Sequence, residues 1–509
     1  MMNTHIYVEN NKAIEIKKIP TLNYDEFYNI AVELLPKEEV HCVNYFGFPY
    51  GEKLKFICAF ADDKEHKIAL LSYEFENKNV KDLNLKSLTE TFPAMHIFER
   101  EINENFGIMF QGHPWLKPIR FPHNRYDKKL QISQYPFYQI ESEQLHEVGV
   151  GPIHAGVIEP GHFRFICNGE NVLSLEIQLG WQHRGIENLF LKNENWLGRN
   201  LLAENIAGDT AIGHASTFAS AIESLAGIKI SKRLKIERMI ALELERIATN
   251  TGDMSALCTD IAYQLGAAVF GILRTPIVNF TQRWCGNRLG KGMIRIGGTH
   301  YPLTPELRRE LHEVLKKYKK KFLEMAHQCY HLVSLQDRFD DIGTLTKKQV
   351  RLIGAVGMAA RMAGLPRDIR KSHPSGGYEF VNYEPITLES GDVFARFLLR
   401  SKEIQESLKL IENIISNDSV FAETDDMFEV DKPLTIQKDS FVLSLTEGWR
   451  GEICHTAITD NKGDLLFYKI KDPSLHNWKA LELSLRNLEI SDFPINNKSY
   501  NLSYAGNDL

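Results

Sequence analysis

GPIHAGVIEPGHFRFICNGENVLSLEIQLGWQHRGIENLF, residues 151–190, is where the texture of the chain changes. HFRFIC (162–167) and NVLSLEIQ (171–178) are rich in β-branched and aromatic residues. They flank Asn168-Gly169, a dipeptide that tolerates positive φ, so the stretch predicts a β-hairpin. Long helical patterns follow. KRLKIERMIALELERIATNTGDM (232–254) has apolar residues at Leu234, Ile236, Met239, Ile240, Leu244 and Ile247. They cover more than one helical face, which predicts a helix buried on several sides. Residues 306–333 and 395–415 predict two more long helices. The chain returns to short strands around EGWRGEICHTAITDNKGDLLFYKI (447–470), with a turn at Asn461-Lys462-Gly463.

Upstream, FYNIAVELL (27–35) has helical spacing, and KFICAFADD (55–63) and KIALLSYEF (67–75) suit strands. NFGIMFQGHPWLKPIRFP (105–122) is punctuated by Gly and Pro and reads as ordered loop, with His113 in a structural role. The expected fold class is α+β: a small α/β domain at 1–125, a linker at 126–145, and a helical-bundle domain at 146–509 with small β elements at its ends.

Net charge is −6 over 509 residues, so no basic excess argues for nucleic acid. The seven cysteines are scattered, without CxxC spacing, which fits free thiols in a reducing compartment. The first residues, MMNTHIYVENNKAIEI, lack the basic-then-apolar order of a secretory signal. The most apolar window, 256–273, carries Asp260 and Gln264 and reads as one buried bundle helix rather than a membrane span.

Taken singly, the candidate motifs are weak. GNRLGKG (286–292) lacks the GK[ST] ending of a phosphate loop and reads as a basic turn. No GxGxxG follows a strand, so no nicotinamide site is expected here. His154, His162 and His183 lie near Glu159 and Glu187 without metal-site spacing. Arg184 and Glu187, three apart, are positioned for an ion pair on a helix, and Arg450 and Glu452 for one across a strand or loop.

Their order is more informative. GPIHAGVIEPGHFRF, GWQHRGIENLF, DIRKSHPSGGYE (368–379), GDVFARFLLRSKEI (391–404), EGWRGE (447–452) and DPSLHNW (472–478) form a series. This series resembles the large subunit of group 4 energy-converting nickel–iron hydrogenases, of the formate hydrogenlyase and hydrogenase-4 type. It also resembles the homologous quinone-site subunit of respiratory complex I. Glu99 to Pro114 resembles the small partner subunit of complex I, fused to the large subunit in some of these hydrogenases.

The departures from those families are specific. The resemblance implies two Cys-x-x-Cys pairs as metal ligands, because soft thiolates suit nickel and iron. Here Ala207, Thr210, Ser474 and Asn477 stand in those places, with His214 retained, so no nickel–iron centre is expected. No CxxC remains for an iron–sulfur cluster in this chain either. In complex I the quinone is met by the second histidine of GPxHxxxH and by a tyrosine. Here His154 keeps the first place, Ile158 takes the second, and Gly208, next to Asp209, stands for the tyrosine. The terminal stretch 492–509, with DPSxHNW, resembles hydrogenase-related complexes that lack the metal ligands but share membrane ion-pumping modules.

The resemblance implies a cleft lined by His154, Arg184, Glu187, Asp209, His214, Arg450 and Asp472. Its histidines and carboxylates suit proton handling. Two functions are open. One is an oxidoreductase-complex subunit, peripheral on the cytoplasmic side of the membrane. It would dock an iron–sulfur small subunit and antiporter-like membrane subunits, and electrons from a donor such as NADH or ferredoxin would reach a quinone or another acceptor near His154. The other is an inactive hydrogenase-fold scaffold that couples or regulates an ion-transport complex. The first expects a path reaching His154; the second expects the cleft to be plugged.

Overall fold

A computed structural model describes residues 4–76, 83–154, 158–421 and 433–509. Residues 155–157 of the GPIHAGV stretch and the first three residues of the chain lie outside these.

The N-terminal unit is built on a five-stranded sheet of β1 (Ile6–Val8), β3 (Thr21–Leu22), β4 (Val40–Tyr50), β5 (Lys53–Asp62) and β6 (Lys67–Glu76). Its order is β1-β6-β5-β4, with β3 parallel to β6. Helix α1 (Tyr24–Leu34) opens with a capping box between Asn23 and Glu26. A second helix, α2, spans His96–Phe106. The 105–122 loop carries one short strand, β8 (Met109–Gln111), parallel to β7 (Asn84–Lys86).

Strands β4 and β5 are buried on both faces, and their alternation explains why. Tyr45, Phe56 and Cys58 face the two helices, whereas Phe46, Phe48 and Ile57 face a second sheet. That sheet has the order β14-β13-β12-β2, from β2 (Ile14–Glu15), β12 (Ser440–Glu447), β13 (Glu452–Thr459) and β14 (Leu465–Lys471). Phe467 stacks on Phe46 and Phe48 at centroid distances of 5.2 and 5.1 Å. Ile14 pairs with Phe441, so the chain's N-terminal residues complete a sheet made near its other end. The two ends therefore share one apolar core.

The expected hairpin forms, with β10 (His162–Asn168) and β11 (Asn171–Gln178) around Gly169 at φ +59°, and β9 (His146–Val150) as third strand. Then come α3 (Ile186–Lys192), α4 (Trp196–Ala203), α5 (Ala211–Ala226), α6 (Lys232–Asp260), α7 (Gln264–Cys285) and α8 (Pro305–Tyr330). Helix α6 is buried on several sides, packed by α7 and by the Val393–Ile415 helix. The apolar window 256–273 is not one helix. It breaks after Asp260, where Ala262 adopts φ +59°, and restarts as α7. Among the described residues no helix is long and apolar enough to cross a membrane.

A buried charge cluster ties α6 to the sheet end. Arg246, Arg361 and Arg370 face Glu243, Asp368, Glu403 and Glu447. Burial, then the neighbouring Asp368, pushes the Glu447 carboxyl up to about 8. With that proton held, three guanidiniums face three carboxylates, which lowers the cost of burying them.

Candidate functional site

Thr210 precedes α5, and Ser474 and Asn477 lie in the first turn of the Ser474–Ser484 helix; the polar atoms of these residues, expected at the thiolate places, are committed elsewhere. Thr210 Oγ1 donates to Asp209 Oδ1 (3.1 Å) and accepts from Arg450 (3.3 Å). Ser474 Oγ accepts the Ser503 N–H at 2.9 Å. Asn477 clamps the backbone of Val356, accepting from its N–H and donating to its C=O, both at 3.1 Å. Ala207 is buried and offers no donor atom. Among the described residues no group of three or more His, Cys, Asp or Glu side chains is placed to hold a metal ion. A nickel–iron centre does not fit this set, which has no thiolate and no uncommitted oxygen.

Beside these positions, Asp209 and Arg450 form a two-point ion pair at 2.6 and 2.7 Å. The guanidinium is buried, lies 4.0 Å from the Trp449 ring centroid, and donates through Nε to Asn501 O at 2.5 Å. The Asp209 side chain is 41% exposed. Next to it Gly208 faces open space: a Cβ there would meet nothing within 4 Å. Behind them Glu245 accepts the Ile212 and Gly213 N–H groups at the start of α5, at 2.8 and 3.2 Å. Burial, reinforced by Asp209, pushes its carboxyl up to about 8, so it holds a proton at neutral pH.

His214 and Asp472 meet at 3.1 Å in a fully buried run. His214 Nδ1 lies 3.0 Å from His455 Nε2, and His455 Nδ1 lies 2.7 Å from the Tyr468 hydroxyl. One set of tautomers satisfies every link: Tyr468 donates to His455, His455 to His214, and His214 to the Asp472 carboxylate. Burial opposes charge on both Asp472 and His455. The His214 hydrogen bond and Arg450 nevertheless hold Asp472 below the usual carboxylate range, while burial and His214 keep His455 far below the usual imidazole range.

His154 stands apart from that group. Its ring packs against Phe163 and Tyr504, at 5.6 and 6.5 Å between centroids, and its buried Nε2 has no partner. The neighbouring Ile153 is 83% exposed, and Ile158 is exposed too.

The element joining the two groups is segment 501–508. Asn501 holds Arg450 and Asp253, Tyr504 packs on His154, and Asp508 accepts the Gly180 and Gln182 N–H groups, both at 2.9 Å. Arg184 donates to the carbonyls of Asn205, Ile206 and Ala505, and Glu159 accepts the Ala505 N–H.

Two expected ion pairs are corrected. Arg184 precedes α3, so it does not share a helical face with Glu187. Glu187 instead accepts the Ile470 N–H at 2.9 Å and pairs with Lys469. Arg450 is taken by Asp209, while Glu452, two residues on in β13, pairs with Lys471 and His41. Glu245, His455 and Tyr468 are not among the residues that motif reading singles out. His455 and Tyr468 lie in the 447–470 strand stretch outside the EGWRGE motif, and Glu245 is one of several acids on α6, so nothing local marks any of the three.

Comparison with known proteins accounts for two separate regions of the chain. Residues 26–135 match the family model "Respiratory-chain NADH dehydrogenase, 30 Kd subunit", and residues 266–437 match "Respiratory-chain NADH dehydrogenase, 49 Kd subunit". The chain belongs to the complex I and hydrogenase-related family of oxidoreductase subunits. It is 24% identical to hydrogenase-4 component G of Escherichia coli over 426 residues, 80% of this chain and 73% of that one. It is 27% identical to the C/D fusion subunit of NADH-quinone oxidoreductase from Phocaeicola vulgatus over 486 residues, 88% of this chain and 91% of the relative. The membrane-bound hydrogenase subunit alpha of Pyrococcus furiosus is 27% identical over 370 residues, 69% of this chain and 84% of that one. The two matched regions, fused in one chain, imply partner subunits in a multisubunit complex.

Proposed function

We propose that this chain is the core peripheral subunit of a membrane-associated, complex I-like oxidoreductase that works without a nickel–iron centre. Electrons pass from an iron–sulfur partner subunit to a quinone or similar acceptor at the Asp209 face, and the reaction is coupled to ion movement in antiporter-like membrane subunits. The observation that carries this reading is the partly exposed Asp209 carboxylate on the buried Arg450 guanidinium, with protonated Glu245 behind them. A quinone gaining electrons needs a cation to stabilise developing charge on oxygen and a proton donor nearby. Arg450 and Glu245 supply those two groups. Gly208 leaves room for the head group, and exposed Ile153 and Ile158 suit an apolar tail or the membrane arm.

The scaffold reading rests on a different observation: segment 501–508 packs between His154 and the Ser474 region, where a substrate path would run. The deciding experiment uses the complex purified with its native partners, analysed for metals and assayed for quinone reduction. The acceptor-site reading expects iron without nickel, and activity lost in Asp209→Ala with the complex still assembled. Retained activity in Asp209→Ala and His154→Ala, or no activity with any acceptor, transfers the assignment to the scaffold. Stoichiometric nickel overturns both.

A further inference from the structure

A cavity of about 530 Å³ opens beside His476, at the seam between the N-terminal unit and residues 347–367. It lies within the size range of small-molecule sites. Its lining combines apolar Val40, Phe92 and Leu352 with cationic Lys348, Arg351 and Arg367. Glu38 is the acidic residue on the lining, and it is taken by Lys347 at 2.5 Å.

Arg367 sets the requirement. It is 6% exposed, and among the described residues no carboxylate closes an ion pair with it, although Asp63, Glu452 and Glu38 act on it from a distance. Its one hydrogen bond is from Nη1 to Ala355 O at 3.3 Å, and its buried Nε–H has no partner. A guanidinium stays charged when buried, so an unpaired one is costly until an anion meets its donors. His476 sets a second requirement. Its ring is 2% exposed; Nε2 is 3.1 Å from Ala94 O and must donate to it. Burial pushes its pKa down to about 3, so the ring is neutral and Nδ1 is a bare acceptor, buried and unpartnered. The ligand must therefore present anionic oxygens, an O–H donor and apolar bulk.

We propose that this cavity binds a phosphate monoester carried on an apolar body. Its monoanion offers oxygens to Arg367 and a P–OH to His476 Nδ1, and its carbon body covers Phe92 and Leu352. A carboxylate lacks the donor, and inorganic phosphate lacks the body. The site is independent of the acceptor face and uses the histidine of DPSLHN, which has no part in the acceptor chemistry.

The test is calorimetric titration of the full chain with octyl phosphate, octanoate and inorganic phosphate. One saturable octyl phosphate site is expected, with the other two binding about tenfold weaker or more, the scale set by a charged hydrogen bond. Arg367→Gln is expected to weaken octyl phosphate by a similar factor. If that variant does not fold, Lys348→Gln/Arg351→Gln, on the accessible rim, is expected to weaken it measurably. The absence of a saturable site, equal binding by octanoate or by inorganic phosphate, or unchanged affinity in the variants each overturns the proposal.

Discussion

The Asp209 carboxylate closes a two-point ion pair on the Arg450 guanidinium, at 2.6 and 2.7 Å, across 241 residues of sequence. The pair joins the loop before α5 to the turn between β12 and β13. Arg450 is fully buried while Asp209 is partly wet, so removing the acid strands a buried charge. Asp209→Asn is expected to lower stability by about 1–2 kcal/mol, less than a fully buried pair would lose, because solvent screens the exposed side of this one. Urea unfolding of wild type and variant measures the difference, and an unchanged midpoint would mean that Asn501 alone holds Arg450.

The pH dependence of stability has a definite sign. Glu245 and Glu447 titrate near 8 when folded and near 4.3 when unfolded. Between those values the folded chain holds protons that the unfolded chain has released, so stability falls as pH rises. Histidines with lowered folded pKa, such as His476, act oppositely but only below about pH 6.5. From about 6.5 to 8 the carboxyls dominate, and unfolding should become easier by up to about 1.4 kcal/mol per pH unit for each. Glu245→Gln is expected to make that decline markedly shallower; an unaltered slope would show that Glu245 ionises normally.

Glu403 links three guanidiniums. It accepts from Arg370 at 2.8 Å and pairs with Arg361 at 3.3 Å and Arg246 at 3.9 Å. Glu403→Ala is expected to cost about 3–5 kcal/mol, the penalty of leaving buried charge uncompensated. Thermal unfolding reads it, and a loss of under about 1 kcal/mol would mean that the cluster re-pairs through Glu243 and Asp368.

Two glycines make a paired test of the terminal segment. A Cβ on Gly506 would sit 2.6 Å from Asp472 Cγ, displacing the partner of His214. Gly506→Ala is expected to destabilise by about 1–3 kcal/mol, as overpacking does. Gly208→Ala, with nothing in its way, is expected to be near neutral. Equal effects would argue against tight seating of segment 501–508.

How much of this was legible in the sequence follows from how local each cause is. The hairpin at Asn168-Gly169 and α6 are written in nearest-neighbour chemistry, turn residues and apolar period, and both form as expected. The absence of any Cys-x-x-Cys pair is likewise a matter of residue identity. The 256–273 window reads as one helix because its apolar content continues through a break made by backbone conformation at Ala262, not by Gly or Pro.

Ion-pair partners were beyond local reading, because a charge inside a fold pairs with whatever packing brings to it. Arg450 found Asp209 rather than Glu452, and Glu187 found Lys469 rather than Arg184. The elevated carboxyls of Glu245 and Glu447 also needed the fold, since desolvation is a property of surroundings. By itself the sequence determined the element order, the family resemblance and the absence of metal-binding thiolates. Only the tertiary structure decided that segment 501–508 would join the His154 and Asp209 groups, because its contacts reach residues such as Arg450, 51 positions away, and Gly180, 328 away, beyond any local pattern.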